Sequence, residues 1–349
     1  MSKQLYNKVS KDLLKEKLAK EEVVRRTISF YQYAHIKQPN EFRDELYAKL
    51  DAIQVFGRIY VSDEGVNAQI SVPEVNINSL RETLDTIDFL AGVRLNMARE
   101  DDGKSFYKLK IKVRQKIVAD GLDDSTFDVT DRGTHVDAAT FNQLADDPDT
   151  IIVDMRNHYE SEVGHFQGAI TPDVETFREE LPVVEELLAD KKDKNILLYC
   201  TGGIRCEKAS AYYRHKGFKN VHQLEGGIIE YARQVQELGL ENKFVGKNFV
   251  FDERLGERIS EEIISSCHQC GVPCDTHTNC NNDACHILFI QCESCAEKYS
   301  DCCSVKCQDF AALPEEEQQR LKPRVEFNGT KFGKGRYKAH HKDEVLKVD

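Results

Sequence analysis

The sequence predicts a multidomain α/β protein with a separate cysteine-rich segment, and three observations support this prediction. The chain has 349 residues, 40% of them hydrophobic, and at about 150 residues per domain this length corresponds to two or three globular domains. Short apolar strands alternate with helical segments through residues 1–239. Ten of the 12 cysteines lie between Cys267 and Cys307, so the last third of the chain has a different chemistry.

Residues 1–118 are predicted to form a module with the element order β-α-β-β-α-β. A polar helix with Ser10 as its N-cap precedes the first strand. Asp63-Glu64-Gly65 supplies the turn chemistry of a β-hairpin between the two central strands. The predicted elements are a helix within 1–22, strands at 27–34, 58–61, 67–72, from Val93 and at 107–118, and helices capped by Asn40 and at 79–90. This order matches the ferredoxin-like plan, and it leaves open whether the module is a scaffold or a substrate-binding domain.

Residues 119–134 are acidic and poor in apolar residues, which is typical of a linker, and residues 135–239 form the next predicted module. Its strands are predicted at 151–153, 196–199 and 221–224, and its helices near 138–144, 175–188, 204–215 and 228–236. This alternation predicts a parallel sheet with helices on both faces. In such a sheet the ligand site lies beyond the carboxyl ends of the strands, which is where Cys200 falls.

The segment around Cys200 carries the strongest catalytic signal in the sequence. Gly202 and Gly203 allow successive backbone N–H groups to converge on one point, and the helix that follows contributes its positive N-terminal end. Arg205 adds a fixed positive charge. These groups stabilise a thiolate, so we predict a Cys200 pKa below the free value of about 8.5 and a nucleophile at neutral pH. Cys206 is either a resolving thiol or a packing residue of the helix.

Residues 240–319 have the cysteine spacing of a metal-binding module. Two Cys-x2-Cys pairs separated by about 20 residues are a strong zinc pattern, and a closed four-thiolate site would fold a segment with little core of its own. The first predicted site consists of Cys267, Cys270, Cys292 and Cys295. The remaining cysteines offer a second site from Cys274, Cys280, Cys285 and Cys303, with Cys302 or Cys307 as substitutes for the last. Zinc is the expected metal, and an iron–sulfur cluster uses the same ligand type.

The charge distribution indicates a local contact with nucleic acid. The formal net charge of −12 argues weakly against such a partner, but electrostatic attraction is local within a Debye length. In the basic tail, residues 320–349, the rings of Phe327, Phe332 and Tyr337 are interleaved with cations. This pattern suits an RNA-binding arm that contacts phosphates and stacks on bases, and a solvated disordered tail is the alternative. The candidate RNA-binding residues are Arg320, Lys322, Arg324, Lys331, Lys334, Arg336 and Lys338.

Two classes of protein are excluded by the hydrophobic pattern. No apolar run approaches the roughly 20 residues of a membrane span, and the charged N-terminus lacks the apolar region of a secretory signal. We therefore expect a cytoplasmic protein, whose cysteines bind metal or perform thiol chemistry in a reducing compartment. The oligomeric state is not predicted by the sequence.

The motifs of residues 135–239 resemble those of the rhodanese family. The loop Cys200-Thr201-Gly202-Gly203-Ile204-Arg205 fits the C-x-x-G-x-R form of that family. Asp154, Arg156 and Glu160 are spaced as in its D-x-R-x-x-x-E segment. The resemblance implies that Cys200 takes up sulfane sulfur as a persulfide, and we interpret the three charged residues as an ion-pair lattice that braces the loop. The loop is one residue shorter than the C-x5-R loop of related phosphatases, which disfavours a phosphatase.

The order of modules over nearly all 349 residues resembles the rhodanese-type tRNA uridine hydroxylases of bacteria. This resemblance implies oxygen-dependent 5-hydroxylation of the wobble uridine, position 34, of tRNA, which gives 5-hydroxyuridine and requires Cys200. Molecular oxygen is then a co-substrate, and no flavin or nicotinamide fingerprint is visible in the sequence. The alternative is a sulfurtransferase that moves sulfane sulfur through a Cys200 persulfide. A non-enzymatic RNA-binding adaptor is disfavoured by the intact Cys200 loop.

Overall fold

The computed structural model describes residues 10–99, 101–123, 126–329, 336–339 and 342–346. The chain divides into two compact units. The first unit contains Met1–Asn157, Gly168–Lys243 and Val250–Glu257, and the second contains His158–Gln167, Phe244–Phe249 and Arg258–Asp349. None of the described helices is long and apolar enough to cross a membrane.

The N-terminal part of the first unit is a five-stranded sheet. Its elements are α1 (Lys11–Ala19), β1 (Arg25–Tyr33), α2 (Pro39–Ala52), β2 (Phe56–Ser62), β3 (Gly65–Pro73), α3 (Ile77–Asp85), β4 (Asn96–Met97) and β5 (Leu109–Val113). The strand order is β4-β1-β3-β2-β5, in which β5 is parallel to β2 and the other neighbours are antiparallel. The predicted β-α-β-β-α-β plan is therefore confirmed, with β5 added at one edge.

Alternation along these strands separates a buried face from an open face. Apolar side chains of β1, β2, β3 and β5 pack with those of α2 and α3 into one core, which includes Ile28, Phe30, Leu46, Leu50, Ile59, Ala68, Ile70, Leu80, Leu84 and Ile111. The intervening positions, such as Ser29, Arg58 and Gln69, carry polar or charged side chains. Because successive side chains of a strand point to opposite faces, these polar side chains form the face that the helices leave open.

The N-caps of the first two helices can be compared with those predicted from the sequence. Ser10 caps α1, and its hydroxyl accepts a hydrogen bond from the Leu13 N–H at 3.4 Å. The helix α2 begins at Pro39 with Gln38 as its N-cap, so the predicted cap at Asn40 is wrong. Proline suits this position because the first helical N–H has no partner within the helix. Residues 1–9 of the predicted N-terminal helix lie outside the described residues.

The central part of the chain contains a four-stranded parallel sheet. The elements are β6 (Thr134–Val136), α4 (Ala138–Ala145), β7 (Thr150–Asp154), α5 (His158–Ser161), β8 (Gly164–Phe166), α6 (Phe177–Leu187), β9 (Asn195–Tyr199), α7 (Ile204–His215), β10 (Asn220–Leu224) and α8 (Gly227–Leu238). The strand order is β6-β10-β9-β7, which confirms the predicted parallel sheet. Of the helices in this unit, α4 packs against α8 and α6 packs against α7. The short elements α5 and β8 belong to the second unit.

Buried cysteines make up much of the core of the second unit. Its later elements are β11 (Phe244–Asn248), β12 (Glu257–Arg258), β13 (His277–Asn279), β14 (Leu288–Ile290), α9 (Glu293–Tyr299), α10 (Val305–Ala311) and α11 (Glu315–Leu321), with the first residue of β12 in the first unit. The strand β11 pairs with β8 and β13 pairs with β14, both antiparallel. Buried cysteines pack here with a few large apolar side chains, such as Ile287, Phe289 and Ile290.

Candidate active site and cysteine clusters

Cys200 lies directly after β9, at the carboxyl edge of the parallel sheet, and its side chain is fully buried. Two glycines allow the turn between β9 and α7 to form, one within the turn and one at the start of α8, which packs against it. Gly203 has a φ of 97°, which lies in the left-handed region that favours glycine. A Cβ at Gly203 would lie 2.8 Å from the Tyr31 hydroxyl oxygen, and a Cβ at Gly227 would lie 2.5 Å from the Cys200 carbonyl oxygen. Larger residues at these two positions would therefore displace the loop.

Backbone N–H groups and a cation hold the Cys200 thiol. The Gly203 N–H donates to Sγ at 3.1 Å. Burial alone would raise the pKa of Cys200. A hydrogen bond from the Cys206 thiol, the charge of Arg205 and the backbone N–H groups of both residues outweigh burial and lower this pKa to about 6. It follows that Cys200 is mainly a thiolate at neutral pH.

Cys206 is the neighbouring thiol, in the first turn of α7, and it acts as a hydrogen-bond donor to Cys200. Its side chain is 1% exposed. Burial raises the pKa of Cys206 well above its usual value, and the hydrogen bond to Cys200 and the negative charge of Cys200 raise it further. The two thiols are therefore unequal, because Cys206 keeps its proton while Cys200 is ionised.

Arg205 places a positive charge beside this thiolate. Its Nη2 donates to Thr201 Oγ1 at 3.3 Å, and its guanidinium lies over the ring of Phe251, 5.8 Å from the centroid. The side chain is almost completely buried. A cation held away from bulk water stabilises a nearby anion more than a solvated cation does.

A buried ion pair lies at the ends of the strands that support the loop. Arg156 donates from Nε and Nη2 to the two carboxylate oxygens of Asp154, at 2.8 and 2.7 Å, and the Tyr199 hydroxyl donates to the same carboxylate at 2.7 Å. These three side chains are fully buried. Since these contacts join the end of β7 to the end of β9, they suit the bracing role better than a catalytic one. Glu160 is also fully buried, in α5 of the second unit.

Cys200 is one of the residues that line a cavity of about 410 Å³. Thr201, Gly202 and Arg205 of the Cys200 loop line it, as does Phe251. The open face of the N-terminal sheet supplies a further set of lining residues, which includes Ser29, Tyr31, Arg58, Tyr60, Asn67, Gln69 and Asn96. Sites for small molecules typically have volumes of about 300–1,000 Å³, so the cavity can admit a group of nucleobase size.

The sequence does not identify the lining residues of the N-terminal sheet as site residues. Strand alternation shows that their face is polar, but it does not show that Cys200 lies opposite. Asn96 is one such residue that the sequence does not identify. It is 4% exposed, and its Oδ1 has no hydrogen-bond partner among the described residues. Its Nδ2 would lie 3.9 Å from a Cβ at Gly202. An unpaired buried polar group costs about 1–3 kcal/mol, and such groups require a functional or structural explanation.

Tyr31 connects the cavity to a network of charged side chains around Glu207 of α7. Its hydroxyl donates to Glu207 Oε1 at 3.1 Å. Glu207 also accepts a hydrogen bond from Arg132 at 2.7 Å and bonds His135 Nε2 at 2.9 Å. Burial alone would raise the pKa of Glu207, but the hydrogen bonds and charges of His135 and Arg132 lower it to about 2. An ionised acceptor therefore fixes the orientation of the Tyr31 hydroxyl near the Cys200 loop.

Eight cysteines of the second unit form two clusters that could each hold a metal ion. In each cluster the four Sγ atoms lie within 4.8 Å of one another. The first contains Cys267, Cys270, Cys292 and Cys295, and the second contains Cys280, Cys285, Cys303 and Cys307. The Sγ atoms are 3.6 Å apart for Cys270 and Cys292, 3.7 Å for Cys285 and Cys303, and 3.6 Å for Cys303 and Cys307. The edge of a tetrahedron of sulfur around zinc is about 3.8 Å for a 2.3 Å bond, so the residues fit a four-coordinate ion.

The second cluster differs from the predicted one in its membership. Cys307 is the fourth residue of this cluster, where the spacing predicts Cys274. Cys302 does not belong to the cluster. Cys303 and Cys307 come together because Cys303 lies just before α10 and Cys307 lies in its first turn. Cys274 instead belongs to the group of packed buried residues that includes Cys267 and Cys295 of the first cluster. Spacing alone could not distinguish these arrangements, because the candidates other than Cys307 lie in loops and their positions depend on how those loops fold.

The candidate RNA-binding residues of the basic tail are only partly described. Arg320, in the last turn of α11, pairs with Glu317 at 3.2 Å. Lys322 and Arg324 follow the helix and are exposed. Farther along, Arg336 is half-buried and Lys338 is exposed, whereas Lys331 and Lys334 lie outside the described residues.

Two of the three tail rings that were expected to stack on bases pack within the second unit. Phe327 lies edge-to-face against a phenylalanine of α10 with centroids 4.9 Å apart, and Tyr337 stacks on a phenylalanine of β14 at 5.5 Å. Phe332 lies outside the described residues. The Gly329 N–H donates to Cys285 Sγ at 3.3 Å. Part of the tail is thus part of the cysteine-rich core, where burial of its rings is more favourable than exposure.

Three segments of the chain match known domain families. Residues 25–117 match the family described as UPF0176 acylphosphatase like domain. Residues 137–234 match the rhodanese-like domain, and residues 245–308 match the family described as Rhodanase C-terminal. The predicted boundaries between modules, at 118, 134, 239 and 319, remain predictions.

Curated proteins match the chain along nearly its whole length. The tRNA uridine(34) hydroxylase of Enterobacter sp. (strain 638) is 56% identical and covers 97% of this chain and 97% of its own length. The protein of the same name from Photorhabdus laumondii is 55% identical over 96% of this chain and 95% of its own. Among solved structures, a rhodanese-like domain from Anabaena sp. covers 32% of this chain and 78% of its own at 21% identity, with a TM-score of 0.26.

Proposed function

The chain belongs to the tRNA uridine(34) hydroxylase family, and from this membership we propose that it hydroxylates C5 of the wobble uridine of tRNA to give 5-hydroxyuridine. The observation that carries the proposal is the 56% identity to a relative of that name over 97% of the chain. The cavity at Cys200 supports it with a nucleophile and a space of nucleobase size. In this proposal tRNA is the partner, molecular oxygen is the co-substrate and the cytoplasm is the place of action.

Cys200 is the proposed nucleophile of the reaction. Addition of its thiolate to C6 of uracil breaks the C5–C6 double bond and places electron density on C5, the carbon that gains oxygen. One atom of O2 enters the C5 position, and the other leaves as water with two electrons and two protons from a donor molecule. Loss of the C5 proton and departure of the thiolate from C6 then restore the double bond. The base must first leave its stack in the anticodon loop to reach the cavity.

The two cysteine clusters are proposed to hold structural zinc. Four thiolates around one ion form a closed site that leaves no position for substrate, which is typical of structural and not catalytic zinc. Backbone N–H groups already point at the sulfur atoms, as from Cys292 to Cys267 Sγ and from Cys303 to Cys280 Sγ, both at 3.4 Å. Zinc would supply the cohesion that the few apolar side chains of this unit do not.

Nucleoside analysis of tRNA tests the proposed function. tRNA from cells that carry the gene should contain 5-hydroxyuridine, and tRNA from cells with Cys200→Ser should lack it while the variant still binds tRNA. Cys274→Ser is the matched control, since Cys274 is a buried cysteine outside both clusters and the active site. Hydroxylation by Cys200→Ser would refute the assigned nucleophile. Unchanged nucleosides together with thiosulfate:cyanide activity would favour the sulfurtransferase instead.

A further inference from the structure

The open face of the N-terminal sheet carries a row of four cations, which we call the basic strip: Arg58, Lys110, Lys112 and Arg114. Arg58 lies on β2 opposite Lys110 on β5, and Lys112 lies opposite Tyr60. Arg114 comes directly after β5. Because residues two apart on a strand share a face, the last three cations point to the same side as Arg58.

The basic strip has no acidic partner among the described residues. No carboxylate there lies within 4.0 Å of any of its four cations, whereas surface cations such as Lys15 and Arg26 are paired with glutamates. Burial lowers the pKa of Lys110, and the charges of Lys112, Arg58 and Arg114 lower it further. Like charges on neighbouring strands are destabilising. In a chain with a net charge of −12, such a row calls for an anionic ligand.

The basic strip is continuous with the cavity at Cys200. Arg58 and Tyr60 line that cavity, and the Arg114 guanidinium lies over the ring of Tyr60, 5.7 Å from its centroid. One surface therefore runs from the cavity wall across β2 to the edge strand β5. A base inserted beside Cys200 past Arg58 and Tyr60 would bring its own phosphates toward this surface.

We propose that the basic strip binds the backbone phosphates that flank the target uridine of the anticodon loop. The inference rests on the proposed function and names the surface that receives the substrate. Cations beside a stacking ring are the usual means of binding single-stranded RNA, and each neutralised phosphate releases counterions and strengthens binding at low salt. An acidic protein would also match the charge, but it would not explain why the strip leads into a cavity of nucleobase size.

Salt-dependent binding of tRNA by the full-length protein tests this proposal. The triple variant Lys110→Ala, Lys112→Ala, Arg114→Ala removes three cations from the open face. The matched control is the triple variant Lys191→Ala, Lys194→Ala, Lys219→Ala, which removes three exposed cations near the amino ends of β9 and β10. The affinity for an unmodified tRNA with U34 is measured between 0.1 and 1 M salt, and thermal unfolding verifies that both variants fold.

The expected change follows from counterion release. At about 0.7 ions per phosphate contact, three lost contacts should reduce the slope of log K against log salt by about 2. Relative to wild type, the triple variant Lys110→Ala, Lys112→Ala, Arg114→Ala (the strip variant) should therefore lose about 100-fold more affinity at 0.1 M salt than at 1 M salt. The control variant should keep the wild-type slope. A folded strip variant with the wild-type slope, or equal losses in both variants, would overturn the proposal, as would a wild-type protein that binds no tRNA.

This binding experiment, combined with nucleoside analysis of tRNA treated with the wild-type protein, separates this surface from the proposed function. If wild-type protein hydroxylates the uridine and the strip variant keeps its slope, the function stands and the surface is wrong. If the slope falls as expected but wild-type protein forms no 5-hydroxyuridine, the surface stands and the function is wrong.

A hydrogen-bond chain on the same face carries a second inference. Asn67 Nδ2 donates to the Ile117 carbonyl oxygen at 3.2 Å, and Gln69 Nε2 donates to Asn67 Oδ1 at 2.6 Å. Because a carbonyl oxygen can only accept, the chain fixes which end of each amide is which. Gln69 lines the cavity, and its Oε1 accepts no hydrogen bond from the described residues. The cavity thus has an amide of set orientation, whose acceptor and second N–H bond to no other residue in the described part of the chain.

We infer that Gln69 reads the Watson–Crick edge of the base and selects uracil over cytosine. Uracil offers an N3–H donor beside carbonyl acceptors, which match Oε1 and the free N–H of Gln69. A cytosine held in the same position would present its N3 acceptor to Oε1, and the contact would be restored only if the amide turned over or the base shifted. The hydrogen bond to Asn67 opposes that rotation, so Asn67 is a positioning residue for Gln69.

Anticodon stem-loops with U34 or C34 test this inference with the full-length protein. A bidentate contact discriminates between bases by roughly 5- to 150-fold, so Gln69→Met should reduce the preference for U34 by that amount. Asn67→Leu frees the amide to rotate, and it should lower the U34 preference while C34 binding rises. Arg26→Ala is the control, because Arg26 is an exposed residue of β1 that does not line the cavity. An unchanged preference in folded Gln69→Met would overturn the inference.

Discussion

Alkylation of Cys200 should follow an ionisation with a pKa of about 6. A thiol with this pKa is roughly 90% ionised at pH 7, whereas a thiol with a pKa of 9 is roughly 1% ionised. The rate of alkylation by iodoacetamide should therefore rise with pH through a midpoint near 6 and level off above about 7. Since ionisation is easier in the folded state, it stabilises the fold above the unfolded pKa, and this contribution is lost as the pH falls through 6.

Substitution of Cys206 tests the cause of this low pKa. A hydrogen bond to a charged group is worth about 1.5–3 kcal/mol, or about 1–2 pKa units. Cys206→Ala removes the donor and should move the inflection from about 6 to between about 7 and 8. Cys206→Ser keeps a hydroxyl donor and should move it less.

The assay must separate Cys200 from the eleven other cysteines of the chain. Trypsin cleaves after Lys194, Arg205 and Lys208, so Cys200 and Cys206 fall on different peptides. Mass spectrometry of the peptide 195–205 then gives the alkylation rate of Cys200 alone. An inflection near 9 in the wild-type protein, or an identical inflection in Cys206→Ala, would refute the reasoning.

Three further predictions test other parts of the structure. Protein purified under reducing conditions should hold one metal ion for each of its two clusters. Cys292→Ser should lose one of these ions and Cys274→Ser should lose neither, and full metal content in Cys292→Ser would exclude the first site. Asp154→Asn removes the buried negative charge that pairs with the Arg156 guanidinium and should destabilise the fold by about 3–5 kcal/mol; an unchanged urea midpoint would contradict the bracing role. Replacing Lys322 and Arg324 by Ala should reduce the salt slope of tRNA binding by about 1.4, and an unchanged slope would remove both residues from the RNA surface.

The sequence predicts those parts of the fold that depend on local signals. Hydrophobic periodicity locates β9, α7 and β10 to within one residue at each end, and Asp63-Glu64-Gly65 marks the turn between β2 and β3. The strands β8 and β11 were not predicted. They are short, and their pairing joins residues 164–166 to residues 244–246. No local pattern records such a contact between distant segments.

The same limit applies to the candidate site. The Cys200 loop is visible because its glycines and Arg205 are adjacent in the chain. The role of Gln69 and the exchange of Cys274 for Cys307 depend on which distant segments meet, and residue types alone do not show that. An alternating polar face was visible on β3, but its neighbour across the cavity was not.

The low pKa of Cys200 has a chemical consequence beyond a larger fraction of thiolate. Lowering the pKa from 9 to about 6 raises the thiolate fraction at pH 7 about 90-fold, but it also lowers the intrinsic nucleophilicity of the thiolate about 20-fold. Attack on the base therefore gains only about fourfold. A thiolate of low pKa leaves faster, and in the proposed reaction the sulfur must depart from C6 after oxygen has entered at C5. The hydrogen bond from Cys206 and the charge of Arg205 thus assist release of the hydroxylated base more than the initial attack.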